Sequence, residues 1–257
     1  MRLKHELRRF SHRFGVDVVR YPLRDPLART VNLMRHHGVN CVLDVGANDG
    51  GFGKGIRDLG YTGRIVSFEP LRKPFQSLSA KASSDGNWEV RNCAIGDTST
   101  EVTINVSGND GLSSSVLPIL AAHTKAEPSS QYVGSETANQ ERLDALFPTL
   151  GVHPDATTFL KVDVQGYEEA VLDGASALFA DGGIIGLQLE LSLIPLYDGA
   201  MPYRRGLDFA ENLGLVLMGL DPVFADSKTG QLLQVDAVFF GTAPGQCIDG
   251  AGSLRPR

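Results

Sequence analysis

The sequence predicts an α/β fold: a mostly parallel seven-stranded sheet with helices on both faces, closed by a C-terminal antiparallel hairpin. Three observations predict it. From residue 39 onward, short apolar runs alternate with helical stretches, the signature of a parallel sheet covered on both sides. The first run leads into a Gly-rich turn that opens a helix, VLDVGANDGGFG at 42–53. The last two runs, at 215–220 and 235–240, are joined by a segment in which no helix fits, so they pair antiparallel about a turn near Thr229 and Gly230.

The elements follow in order. Leu3, Leu7, Phe10 and Phe14 recur at helical spacing among Arg2, Lys4, Arg8, Arg9 and Arg13, a basic amphipathic helix. It reads as a docked helix with a solvated basic face, or as a lid or contact of residues 1–15 with an anionic lipid surface. A second helix is marked by Asp25 as cap, Pro26 at its first position, Leu27, Val31 and Met34 as its apolar face and Gly38 at its end. Residues 1–38 therefore form an N-terminal helical segment, and 39–244 the main domain. Strands are expected at 39–45, 64–69 and 88–95, separated by helices carrying Phe52, Ile56 and Leu59, then Phe75 and Leu78. The rhythm breaks at 97–157, an insertion with a strand at 101–106, the polar loop GNDGLSSS and a short helix at 142–147. It resumes with a strand at 158–164, a helix at 167–179, a strand at 184–191 and a helix at 203–213. Residues 245–257, rich in Gly and Pro, are expected to lack order.

Composition narrows the function. With 257 residues, 42% hydrophobic and 21% charged, the chain can bury a sizeable core. A net charge of -6 supplies no broad cationic field, which argues against a nucleic-acid partner and for small-molecule chemistry. Cys41, Cys93 and Cys247 are odd in number and widely spaced, so neither a disulfide framework nor a zinc site is signalled; no metal ligand is assigned, and a divalent cation at a carboxylate cluster stays open because the spacing of acids does not specify one. With no membrane-length apolar run and no signal peptide, the expectation is a cytoplasmic protein.

The chemistry concentrates at strand ends. Gly46 and Gly50 let the backbone of the first turn pass close to a ligand, and the helix start behind it presents unpaired N–H groups. Asn48 occupies the place of the second glycine of a dinucleotide fingerprint, and neither that pattern nor the phosphate-binding loop with Lys-Ser/Thr is met. Glu69 ends the second strand about 20 residues beyond the turn, where a carboxylate accepts both ribose hydroxyls of an adenosine ligand. Asn92, Cys93 and Ala94 close the third strand, beside the place of the adenine. Asp163 ends the fourth strand at the topological switch point; it reads as an orienting or proton-accepting group, or as a cap for the next helix. Glu168 reads as structural, paired with Lys161 or solvent. Glu190 is a carboxylate within the buried run LQLELS, and buried carboxylates need partners. His123, in the insertion, is a third candidate base if it swings over the site; as a loop residue it is otherwise expected at the surface. Gly111 to Ser115 reads as a ligand contact or a solvated turn.

Several stretches taken together resemble one family. They are D-V-G-A-N-x-G at 44–50, F-E-P at 68–70, A-x-G-D at 94–97, L-K-V-D-x-x-G-x-E at 160–168, V-L-x-G at 171–174 and L-E at 189–190. In order and spacing they resemble the FkbM methyltransferases over residues 39–240, including the closing L-L-Q-V-D-A-V-F. The resemblance implies a Rossmann-like class I methyltransferase fold and an S-adenosyl-L-methionine-dependent O-methyltransferase acting on a hydroxyl of a sugar, glycolipid or polyketide-type natural product. By position it implies that Asp44, Gly46, Asn48 and Glu69 hold the cofactor and that Asp163 sits at the reaction centre. One departure stands out: by the resemblance the family usually has Glu where this chain has Gln165, so a base or metal-ligand role for that side chain is in doubt. Two other readings stay open on the sequence: a cofactor-binding scaffold without activity, and a nicotinamide-dependent oxidoreductase, the latter weakened by the missing glycine and the terminal hairpin.

Overall fold

A computed structural model describes residues 25–153 and 155–241, together with Ser11, Phe14, 246–248 and 254–256. Helix α1 (Pro26–His36) forms as its capping signals predict: the Asp25 carboxylate accepts from the Ala28 N–H at 2.9 Å, and Val31 and Met34 are buried. The main sheet then follows the alternation: β1 (Cys41–Val45), α2 (Gly51–Asp58), β2 (Arg64–Phe68), α3 (Arg72–Ala82) and β3 (Trp88–Arg91). After an excursion come β7 (Thr158–Val162), α6 (Glu168–Gly174), α7 (Ser176–Ala180), β8 (Ile184–Ser192), α8 (Tyr203–Asn212), β9 (Leu215–Ala225) and β10 (Leu232–Gly241). The strands lie in the order β3-β2-β1-β7-β8-β10-β9. The first five run parallel, and β10 pairs antiparallel with both β8 and β9. This is the mostly parallel seven-stranded sheet with a closing hairpin that the sequence predicts.

Strand alternation divides the core between the two faces. Cys41, Leu43 and Val45 pack on one side with Leu172, Phe179 and Ala210, while Val42 packs on the other with Met34, Ile56 and Leu78. Asp44 shares the face of Val42, so a carboxylate is carried under the first strand end with no exposed surface.

The excursion differs most from the expectation. The strand expected at 88–95 splits: after β3 the chain leaves the main sheet, and β4 (Ala94–Ile95) joins β5 (Thr100–Ser107) and β6 (Tyr132–Glu141) in a second sheet of order β4-β6-β5. A ten-residue strand was not foreseen at 132–141 because its exposed face is polar and its turn signals are weak; it forms by antiparallel pairing with β5. Helices α4 (Ala121–Ala126) and α5 (Leu143–Leu146) flank it. The helix expected at 167–179 breaks into α6 and α7 at Ala175. In the tail expected to lack order, Gln246–Ile248 and Leu254–Pro256 pair antiparallel. The expected basic amphipathic helix lies outside the described residues, save Ser11 and Phe14. Among the described residues no helix is long and apolar enough to cross a membrane.

The second sheet is pinned to α6 by close backbone approach: a Cβ on Gly174 would lie 2.0 Å from the Gly96 carbonyl oxygen. Neither backbone can yield without opening the seam. Gly174→Ala is therefore expected to destabilise the protein by at least about 2 kcal/mol, read as a lowered urea midpoint; an unchanged midpoint would show that the seam has slack.

Candidate active site

The chain runs outward from β1 through β2 to β3, then returns to lay β7 on the other side of β1. At such a switch point the loops beyond the strand ends diverge and leave a crevice. A cavity of about 400 Å³ opens there, within the usual range for a small-molecule site. The Gly46 φ of +77° is part of its floor, and a Cβ at this position would lie 1.8 Å from the Asp163 carbonyl oxygen. The close approach that demands glycine is thus to the neighbouring strand end. Asn48 follows in the left-handed region at φ +47°, an uncommon conformation for a non-glycine residue and one that asparagine tolerates.

Glu69 ties this loop to the next strand. It is 5% exposed; Oε2 accepts from the Asn48 N–H and Oε1 from the Leu71 N–H, each at 2.8 Å. Burial raises its pKa to about 7, against the pull of these two donors. Each oxygen keeps a further lone pair, and the residue lines the cavity. Cys93 and Ala94 line the same end with Phe68 and Ile95, and burial pushes the Cys93 thiol up to about 11, so it serves as an apolar surface. Asn92 instead braces the loop, donating to the Glu69 and Pro70 carbonyl oxygens. Asp44 and Gly50, expected to hold the cofactor, do not line the cavity. Asp44 accepts from Ser67 Oγ at 3.1 Å and pairs with Lys161 at 3.4 Å beneath the floor. Gly50 is the left-handed cap of α2, its Cβ position 2.9 Å from Leu78.

At the far end the structure brings together Asp163, Gln165 and Glu190, all lining the cavity. Asp163 Oδ2 accepts from Lys161 Nζ at 3.2 Å and Oδ1 from Gln165 Nε2 at 2.9 Å. Glu190 is 6% exposed; its Oε2 accepts from Gln165 Nε2 at 2.7 Å and from Gln234 Nε2 at 2.9 Å. Its Oε1 receives no donor from the described residues and is not sealed from the cavity. Burial first, then the charges of Asp163, Glu168 and Asp236, hold the Glu190 pKa well above the ordinary carboxylate value. A carboxylate with raised basicity and one open oxygen is suited to take a proton.

Three readings need correction. Asp163 does not cap the next helix, and Glu168 does not pair with Lys161: Glu168 Oε1 accepts the Val164 and Gly166 N–H groups at 3.2 and 3.0 Å, while Lys161 is held by Asp44 and Asp163. His123 is neither at the surface nor a mobile base. It is 3% exposed and wedged between Tyr197 and Phe224, with ring centroids 5.2 and 5.1 Å away. Ser113 Oγ, which accepts from Asn109 Nδ2 at 2.9 Å, lies 3.2 Å from His123 Nε2 and shares a hydrogen bond with it. Burial lowers the His123 pKa to about 4, so the ring stays neutral as part of the wall. Sequence reasoning missed Tyr197, Gln234, Val223 and Phe224, which reach the site from the segment after β8 and from the hairpin. Only Gln234 left a trace, a polar residue inside an otherwise apolar strand.

Glu168 yields a pH test. Burial raises its pKa to about 7 from an ordinary 4.5, so from pH 4.5 upward the unfolded chain ionises before the native one and native stability is lost until about pH 7. Glu168→Gln keeps an oxygen for both N–H groups and removes this loss. Urea titrations between pH 5 and 8 are expected to show its stability gaining on wild type by on the order of 3 kcal/mol with rising pH, then levelling; a pH-independent difference would mean that Glu168 ionises as readily folded as unfolded.

Comparison with known proteins follows the geometry. No curated protein matches the chain. Solved structures to which it is similar include a precorrin-6y C5,15-methyltransferase from Geobacter metallireducens, 12% identical, covering 88% of this chain and 94% of that one with a TM-score of 0.45. Another is a putative caffeoyl-CoA O-methyltransferase from Staphylococcus aureus, 9% identical over 92% and 91% of the two chains, TM-score 0.45. The model of the methyltransferase FkbM domain matches residues 44–217, from the buried Asp44 through both carboxylates of the site to the first residues of the terminal hairpin, and the chain belongs to the FkbM methyltransferase family.

Proposed function

We propose that this protein is an S-adenosyl-L-methionine-dependent O-methyltransferase whose acceptor is a small molecule with a free hydroxyl, of the sugar, glycolipid or polyketide type. The observation that supports this reading is the polarity of the cavity: a carboxylate with lone pairs to spare, Glu69, at one end and a carboxylate with an open oxygen, Glu190, at the other. The residues fit the cofactor. Glu69 has lone pairs to spare for two hydroxyls, and Phe68, Cys93, Ala94 and Ile95 offer an apolar surface for a flat base. When bound, the cofactor supplies an electrophilic methyl group on a positive sulfur, so the leaving group needs no acid.

What remains for the protein is to orient the hydroxyl and accept its proton. Glu190 Oε1 is placed to accept it. Asp163, with both oxygens engaged, adds negative charge beside the reacting groups and fixes Gln165. Ser113, His123 and Phe224 shape the acceptor's end of the cavity, while exposed Leu112 and Val223 give its mouth an apolar rim. That rim favours an acceptor with an apolar part. The free thiols Cys41 and Cys93 suit a cytoplasmic setting.

Calorimetric titration with S-adenosylhomocysteine tests the cofactor, with NAD as the control. Wild type is expected to bind the former and not the latter, and Glu69→Ala to lose at least tenfold in affinity, the order of two lost charge-assisted hydrogen bonds. NAD binding in its place would overturn the reading in favour of an oxidoreductase. Asp163→Asn is expected to keep S-adenosylhomocysteine binding while losing most transfer of labelled methyl groups in a screen of hydroxylated acceptors. Cofactor binding with no turnover on any acceptor would instead favour a scaffold.

A further inference from the structure

Gln165 stands between the two carboxylates of the site, and its hydrogen bonds show what the side chain does. Its Nε2 lies 2.9 Å from Asp163 Oδ1 and 2.7 Å from Glu190 Oε2. The two carboxylates come from the ends of adjacent strands, β7 and β8, and face one point. Like charges so arranged repel, and a donor or a cation must stand between them. Here the occupant is an amide.

Its orientation is set from behind. The Tyr197 hydroxyl, on a fully buried ring, is within donating distance of Gln165 Oε1 at 2.8 Å and of the Ser113 carbonyl oxygen at 3.1 Å, the amide oxygen being the nearer. Carboxylates only accept, so the nitrogen faces the pair and the oxygen faces the phenol. The backbone enforces the same placement: Gln165 is in the left-handed region at φ +56°, and a Cβ on Gly166 would lie 2.9 Å from Tyr197 Cβ. Gln234 adds a second amide donor to Glu190 Oε2. The arrangement is a cross-brace in which one NH2 group spends a proton on each carboxylate.

We propose that the Gln165 amide nitrogen takes the part of a cation, bridging Asp163 to Glu190 so that the pair keeps its geometry without a divalent ion, and that a carboxylate at this position gathers three oxygens to which a divalent cation binds. Among the described residues no three His, Cys, Asp or Glu side chains are grouped to hold a metal. Gln165→Glu supplies the third oxygen donor. The change replaces a donor group by an acceptor with a full negative charge beside two others, which only protonation or a hard cation relieves, and oxygen clusters of this kind select Mg²⁺, Ca²⁺ or Mn²⁺. The inference takes its place in the reaction from the proposed function, but its geometry does not depend on it.

The test is Mn²⁺ binding, read by loss of the free-ion electron paramagnetic resonance signal at pH 7.5, on wild type, Gln165→Glu and the double variant Gln165→Glu/Glu190→Gln. Thermal melts with and without Mn²⁺ accompany it. The expected result is that Gln165→Glu binds one Mn²⁺ at least tenfold more tightly than wild type, that Mn²⁺ raises the melting temperature of this variant alone, and that the double variant returns to the wild-type affinity. Equal binding by wild type, or no gain in Gln165→Glu, would overturn the proposal, and so would a Gln165→Glu protein that stays unfolded in Mn²⁺. S-adenosylhomocysteine titration of the same wild-type sample reports separately on the cofactor: its failure would sink the proposed function and leave the Mn²⁺ comparison standing.

Discussion

The buried ammonium group of Lys161 is the interaction on which the site depends. Its side chain is 8% exposed, and its Nζ stands 3.4 Å from Asp44 and 3.2 Å from Asp163, with the Phe52 ring beneath it. Burial pushes its pKa down, but Asp163, Asp44 and Asp236 together hold it above the ordinary lysine value. Charges taken out of water are tolerable only as a paired set, and removing one partner of such a set costs about 3–5 kcal/mol. Asp44 is fully buried, and without Lys161 its charge would be left with Ser67 alone. The ion cluster thereby joins β1 to β7 at the switch point, which is where the crevice must be held open.

From that anchor the polar order spreads outward by hydrogen-bond logic. Lys161 takes one oxygen of Asp163, Gln165 takes the other and reaches Glu190, and Tyr197 and Gln234 complete the set. Of the four carboxylate oxygens of Asp163 and Glu190, only Glu190 Oε1 receives no donor from the described residues. In a polar network this buried, the bonds to the other three keep the groups in one arrangement. The open oxygen is the consequence of the others being taken.

The cavity is built from two materials. Its Glu69 end belongs to the parallel sheet, where Gly46 and Glu69 are placed by backbone ladders and by N–H groups of neighbouring loops. Its other end is assembled from the second sheet, the segment carrying Tyr197 and the terminal hairpin, with the Ser107, Asn109 and Ser113 side chains knitting the polar loop together. A rigid scaffold with site-shaping loops is the usual division between invariant chemistry and variable specificity.

By itself the sequence determined the sheet, the order of its elements and the strand ends at which chemistry collects. These are local matters: hydrophobic period, the Asp25–Pro26 cap, the Gly-rich turn and the acid after β2 act within a few residues or recur at regular spacing. It also singled out Glu69, Asp163, Gln165 and Glu190 as positions of interest. Tertiary structure alone decided what each does. Glu168 became a loop brace because the chain after β7 turns two N–H groups onto it, and His123 a neutral wall residue because Tyr197 and Phe224, distant in the chain, bury it. Strand β6 escaped notice because its polar, half-exposed face carries little period-2 signal, and only pairing with β5 makes it a strand. Tyr197 and Gln234 were silent for the same reason: a hydroxyl or an amide acquires a role when folding brings a partner within 3 Å, and no local pattern records that meeting.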